Sequence, residues 1–397
     1  MKDPGKLRGM PLLSGSRWPV RHLPKWRAAV DALFLISIVL FLWPLDPWIS
    51  SIPAVLWVLL QLLVAPVQRR WAAWPMLFVL LLFSRSWWLN QMPHPVAAQD
   101  GVLVAGALLA GACVAPQRWQ LLLRLPLLVL PLLLFEMGAK PWTPNPLAGA
   151  NQGGYLLGLI WLLAIAWFRQ GNQPHLQRVL AGVATALAAV MVWQTGSRAA
   201  FVAAVVSAAL LWIQQGIGLG QVCKRGFLLL GFGAAALAAK QLLRPSSTGI
   251  PGIDLSSDTG RLAIAQCYGA IPFSGNNRFL YGVGFDRAGE FCSDPINGGV
   301  ADHAHNIYLQ LFASSGVLGV FGLFLLLALL VQAWRSAAPV MDPFPLVAGQ
   351  LALLYTLIQG FLDLSLLHWP VTLVLTGVLL GIPLSWHRAS DNQFTQI

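Results

Sequence analysis

Apolar runs long enough to cross a bilayer recur along almost the whole of this chain. A helix needs about 20 such residues to traverse the hydrocarbon. Runs near that length lie at 28–44, 49–66, 71–89, 101–116, 120–138, 154–168, 176–194, 198–214, 226–243, 306–333, 345–362 and 366–386. The pattern predicts an all-α polytopic membrane protein of about twelve transmembrane helices, with both termini on one side. Charge agrees: only 10% of residues are charged, against about 25% in soluble proteins. The 18 tryptophans suit anchoring at the membrane–water interface, where an apolar ring with one polar handle settles.

Lys and Arg accumulate in cytoplasmic loops, so their distribution orients the spans. Placing the N-terminus inside puts 17 of the 25 basic residues on the inner side with 4 of the 14 acids, and 8 bases with 10 acids outside. Residues 1–27, with seven bases from Lys2 to Arg27, read as a cytoplasmic tail leading into the first span rather than as a cleaved signal peptide. The net charge of +11 is thereby a topology signal, and no nucleic-acid partner is expected. Residues 1–397 form a single transmembrane domain without an internal repeat.

One polar interruption stands out, the large periplasmic loop at 244–305 inserted before the last three spans. Gly, Asp, Ser and Asn replace Leu and Ala there, and the loop carries Cys267 and Cys292. An oxidising compartment permits a disulfide between these two; two small buried thiols are the plainer alternative. Around the loop, four features share the outer side: Thr195-Gly196-Ser197-Arg198, the loop itself, Asp363 with His368, and the Pro/Asn-rich turn at 141–151.

Ser197 before an apolar run is a helix N-cap. Free N–H groups and the positive end of the dipole make such a terminus attractive to anions, and Arg198 adds a group able to clamp phosphate through two hydrogen bonds. The same arginine could equally be one that reaches to lipid headgroups. Asp258-Thr259-Gly260-Arg261 precedes a short amphipathic pattern, which predicts a surface helix with Arg261 in its first turn. Gly282-Val283-Gly284 lacks the strand–turn–helix surroundings of a dinucleotide site and suits close backbone packing. Asp286 and Glu290 are spaced for one helical face, as paired carboxylates or as partners of neighbours such as Arg287. Asp302-His303-Ala304-His305-Asn306 enters a span, where an imidazole can exchange a proton near neutral pH. A His-x-His pair beside an Asp could also ligate metal, but no further ligand cluster accompanies it, and no bound metal is expected.

In their order, these pieces resemble the O-antigen ligase/polymerase superfamily: Ser-Arg at a span start, a Gly-Arg-led helix in the large loop, Gly-x-Gly-Phe, then His-Asn-x-x-Leu-Gln and a Gly-rich span. The resemblance covers roughly 145–330; the N-terminal third matches in hydropathy alone. It implies a GT-C-like fold and metal-independent, inverting transfer from undecaprenyl-diphosphate-linked glycans at the periplasmic face of the inner membrane, with no cofactor. It assigns His305 as the base and Arg198 and Arg261 as diphosphate ligands. Ser197, His303, Asp302, Asn306 and Asp363 stand as supporting candidates, and Tyr308 and Gln310 as residues that pack and orient.

The partners so implied are the lipid-linked glycan donor, membrane lipids, and a lipid A–core or glycan acceptor. Ligation to lipid A–core is the first reading and polymerisation of the same donor the second. A transporter or flippase is the alternative of another class; it would call for ionisable residues near the bilayer midplane or broken helices in repeated halves.

Overall fold

The computed structural model describes residues 25–42, 47–64, 95–134, 150–171, 173–214, 255–284, 287–293, 299–301, 303–363 and 369–386. They are almost entirely helical; among them the extended structure is one isolated bridge, Ser293 to Val300. The longer helices are α1 (Lys25–Leu42), α2 (Pro47–Val64), α3 (Pro95–Cys113), α4 (Ala150–Phe168), α5 (His175–Gln194), α6 (Arg198–Gln214), α7 (Leu255–Ala270), α8 (Ile307–Ala337), α9 (Pro343–Leu362) and α10 (Pro370–Leu380). Four of them open on proline, whose fixed φ suits the first turn and whose missing N–H would have no intrahelical partner there anyway.

Among the described residues, α4, α5, α8 and α9 are individually long and apolar enough to cross a membrane, and α3 with the segment after it makes a bent pair. Apolar stretches of α1, α2, α6 and α10 are shorter. Two of the twelve expected spans, 71–89 and 226–243, lie outside the described residues, as does the tail up to residue 24.

Two other expected spans depart from a straight helix. The run at 120–138 is a chain of short pieces, Trp119–Leu122, Leu125–Leu128 and Val129–Leu134, set at 102° to α3. Pro116, Pro126 and Pro131 explain this, because each removes a helical N–H and crowds the preceding turn. The run at 306–333 is interrupted inside α8 at Gly316, with φ 62° and ψ −158°. A left-handed φ of that kind is open to glycine at little cost.

The core forms where small residues let helices approach. Added Cβ atoms at Gly377 of α10 and at Gly381, its C-cap, would collide with Ala107 and the Leu108 carbonyl of α3, and one at Gly111 with the Val378 carbonyl of α10. Small residues four apart on facing helices are a common packing device in membranes, where apolar burial alone gives helices no reason to associate. Every residue of α10 is buried, as expected of a helix that is apolar all round. Helix α4 joins this centre through Tyr155, whose hydroxyl bonds Thr356 Oγ1 of α9 (3.1 Å) and Thr376 Oγ1 of α10 (3.0 Å). Tyr355 in turn donates to the Tyr155 carbonyl at 3.2 Å.

Tyr155 is near the start of α4 and Thr356 near the end of α9, so the two helices run antiparallel and the molecule has two distinguishable ends. At one end Arg118 pairs with Asp31 of α1 and donates to Gln61 Oε1 of α2 at 3.3 Å. Trp119 Nε1 donates to Ser385 Oγ at 2.8 Å there, and Arg124 lies over the rings of Trp167 and Phe344. The other end carries the α5–α6 turn, the start of α8 and the end of α9.

Candidate functional site

His305 sits at the junction between the loop and α8, with φ 51°. A left-handed conformation is uncommon for a residue with a side chain, although histidine is among those enriched there, and such residues cluster at functional sites. Asn306 follows in an extended conformation and caps α8, its Oδ1 accepting from the N–H groups of Tyr308 (2.9 Å) and Leu309 (3.0 Å). Its Nδ2 donates to the Phe361 carbonyl of α9 at 3.1 Å. Asn306 therefore starts one helix while holding the end of another.

Asp363 terminates α9, its N–H bonded to the Gln359 carbonyl at 2.8 Å. Its Oδ1 lies 3.3 Å from His305 Nδ1. The carboxylate side chain is 4% exposed and the imidazole 24%. Where Asp363 is ionised it accepts, so the tautomer with Nδ1–H fits this contact and is the one that leaves the Nε2 lone pair open. The His303 ring stands edge-on to that of His305, centroids 4.4 Å apart. Gln310, buried one turn into α8, accepts from the Ala304 N–H at 2.9 Å, and Tyr308 donates to the Leu357 carbonyl at 2.8 Å. The backbone entering the site is thus held from α8 itself and the site residues from α9.

On the loop side, Tyr268 of α7 donates to the Ala301 carbonyl at 2.8 Å, and Ala301 N–H bonds the Cys292 carbonyl at 2.8 Å. Cys292 is joined to Cys267 of α7, with Cα atoms 6.0 Å apart. Ile264 and Tyr268 pack with Ala301, Ala304 and Ala313 in one small core. Arg261 precedes Ile264 by three residues and Tyr268 by seven, a spacing that puts it on the same helical face. It is half-buried. Contrary to the sequence expectation, α7 begins at Leu255, so Arg261 lies in the second turn rather than the first; the three helical residues Leu255, Ser256 and Ser257 before Asp258 make the difference. Any attraction for an anion there comes from the guanidinium alone.

The Gly282–Gly284 segment packs into the break of α8. Val283 and Gly284 donate to the carbonyls of Ala313 (3.0 Å) and Ser314 (2.9 Å), which an unbroken helix would satisfy from residues 317 and 318. Gly282 lies against the Ser314–Ser315 backbone and Gly316 against that of Leu280–Tyr281; both have positive φ, and a Cβ on either would collide.

At the α5–α6 turn, Thr195 Oγ1 donates to the Val192 carbonyl at 2.7 Å and accepts from Ser197 N–H at 3.2 Å. Ser197 Oγ accepts from Ala200 N–H at 3.3 Å. Gly154 of α4 lies directly against Thr195 and Ser197. Arg198 is the first residue of α6, half-buried and engaged by neighbouring groups. Glu290 pairs with Arg287 at 3.1 and 3.2 Å; Asp286, Asp302 and His368 lie outside the described residues, as does most of the 141–151 turn.

The structure thus gathers His305, Asp363, His303 and Asn306. Arg261 shares the helical face of Ile264 and Tyr268, which pack with Ala301 and Ala304, and Ser197, next to Arg198, lies against Gly154 of α4. Asp363 lies about 10 Å beyond Thr356 along α9, at 1.5 Å per residue, and Thr356 bonds Tyr155 next to Gly154. The chain of contacts puts the α5–α6 turn and His305 at the same end. Among the described residues no group of three His, Cys, Asp or Glu side chains is placed to hold a metal ion. Sequence reading missed the tie from Gln310 to Ala304, which depends on the backbone turning back at His305, and the anchoring of Asn306 to Phe361, 55 residues along the chain.

Fold and composition define the class: an α-helical protein with several helices of membrane-crossing length. No protein-family model matches this chain, and no curated protein matches it in sequence.

Proposed function

We propose that the protein is a GT-C-like membrane glycosyltransferase of the O-antigen ligase/polymerase type, with about twelve spans in a bacterial inner membrane and its His305 end facing the periplasm. It transfers a polysaccharide from an undecaprenyl-diphosphate-linked donor to an acceptor hydroxyl, with lipid A–core as the acceptor. The single observation that carries this reading is the His305–Asp363 pair: a partly open imidazole, oriented by a buried carboxylate, at the end of the molecule that also holds Ser197 and Arg198.

In this reading His305 Nε2 removes the acceptor hydroxyl proton as its oxygen attacks the anomeric carbon. The bond from that carbon to the diphosphate oxygen breaks, and configuration inverts because attack comes from the opposite face. Asp363 keeps Nδ1 protonated and favours the imidazolium that forms. A positioned base of this kind contributes about 10²–10⁴-fold. The donor brings the energy, since its diphosphate leaves readily once its growing charge is met; Arg198 and Arg261 are the cations for that task.

The deciding experiment reconstitutes the purified protein with a lipid-linked glycan and two competing acceptors, lipid A–core and a second lipid-linked glycan. Glycan on lipid A–core is the expected product. A lengthened lipid-linked glycan would make the protein a polymerase, and no product from either acceptor would overturn the transferase reading.

A further inference from the structure

An apolar patch at the His305 end has no part in the site. Phe273 and Phe279 pack with Phe312 of α8, ring centroids 5.7–6.0 Å apart. The patch is open: Phe273 is 70% exposed, and Phe279 and Leu280 are 45% exposed. Beside it, Arg278 donates to Ser274 Oγ at 2.8 Å and lies 4.8 Å above the Phe291 ring. So large a cluster of exposed aromatic carbon is costly in water and marks a contact surface.

We infer that this patch is embedded in the leaflet surface at the His305 end and anchors the loop to the bilayer. Two observations favour lipid over a soluble partner. Phe312 belongs to α8, and beyond Gly316 the same helix leaves Phe321 and Phe324 58% and 66% exposed in a candidate span. Phe312 thus lies on the segment that leads across the Gly316 break into the rest of that candidate span, whose own phenylalanines are exposed. In addition, Arg278 supplies a cation beside aromatic rings, the combination that suits the headgroup level, where rings face acyl chains and guanidinium meets phosphate. A platform for sugar rings is less well served, since Phe273 and Phe279 are tilted by 42° to each other and both stand edge-on to Phe312, which presents no single flat face. Anchored in this way, the Arg278–Tyr281 turn fixes the depth of the Gly282–Gly284 segment bonded to α8 and, through Phe291 and the Cys267–Cys292 bond, of α7.

The test places a nitroxide at Phe273→Cys, and separately at Phe279→Cys, in full-length protein carrying Cys113→Ala and Cys223→Ala. Asn276→Cys, at an exposed residue between the two, is the reference. In phosphatidylethanolamine/phosphatidylglycerol nanodiscs, oxygen should collide with the labels at 273 and 279 several-fold more often, relative to a water-soluble nickel complex, than with the label at 276. Equal ratios at the three positions would overturn the anchor. So would labels at 273 and 279 that face water and become shielded on addition of an oligosaccharide, which would reassign the patch to glycan binding. Should Phe273→Cys fail to fold, the label at 279 carries the same reading.

Discussion

The two ends of this molecule each hold a carboxylate against a nitrogen base, and the pairs differ in what they leave open. At one end Asp31 and Arg118 are both 6% exposed, with Gln61 as a further partner of the guanidinium. That knot ties α1, α2 and the turn after α3, and both of its charged groups are closed off from solvent. At the other end the carboxylate of Asp363 is just as buried but its imidazole partner is 24% exposed. A pair that is closed on both sides can hold helices; a pair open on the base side can also meet a third molecule. Burial of a charge in a membrane protein therefore does not by itself mark a reactive site.

That contrast can be broken most directly by removing one partner at each end. His305→Ala should lower transfer on the order of 10²–10⁴-fold while the protein elutes and unfolds as the parent does. Asp31→Ala should do the reverse: it leaves Arg118 buried without its counter-charge, at a cost of about 3–5 kcal/mol, read as a lower melting temperature and poorer yield. Intact transfer in His305→Ala, measured with purified donor and acceptor, would remove the imidazole from the chemistry. An Asp31→Ala protein as stable as the parent would remove the knot from the fold.

Asp363→Asn sharpens the same comparison at smaller amplitude. The amide keeps the shape but loses the charge-assisted hydrogen bond, worth about 1.5–3 kcal/mol, so transfer should fall by roughly 10- to 10²-fold at 1.36 kcal/mol per decade. Stability should fall less, because a neutral hydrogen bond worth about 0.5–1.5 kcal/mol can still form. A rate unaltered by this change would mean that His305 works without orientation from α9.

Sequence made one end of the molecule more legible than the other. His305 and Asn306 could be singled out because polar residues gather where an apolar run begins, and Ser197 because a hydroxyl before a helix caps it. The Asp31–Arg118 knot was hidden, since its members lie 87 residues apart and each reads alone as a charge near a helix end. Among the described residues, helix existence followed from apolar run length; helix straightness did not. The run at 120–138 fragments at its prolines, and the α8 break needs both Gly316 and the distant Gly282–Gly284 segment that satisfies the freed carbonyls. Likewise Arg261 looked like a first-turn residue because nothing in Leu255-Ser256-Ser257 reveals that the helix starts there.

The smallest expected effect concerns Asn306, which performs two jobs that substitution can separate. Serine caps a helix about as well as asparagine, whereas alanine costs about 1 kcal/mol, so Asn306→Ala should lower the melting temperature more than Asn306→Ser. Serine is too short to reach the Phe361 carbonyl, so both variants lose the 3.1 Å bond to α9, worth about 0.5–1.5 kcal/mol. That bond sits two residues before Asp363 and fixes the end of α9 relative to His305. Asn306→Ser should therefore transfer more slowly than the parent by a few-fold, out of proportion to its small loss of stability. If the serine variant matched the parent in rate while the alanine variant lost only stability, Asn306 would be a cap and nothing more, and the register between His305 and Asp363 would have to come from Tyr308 and its bond to Leu357.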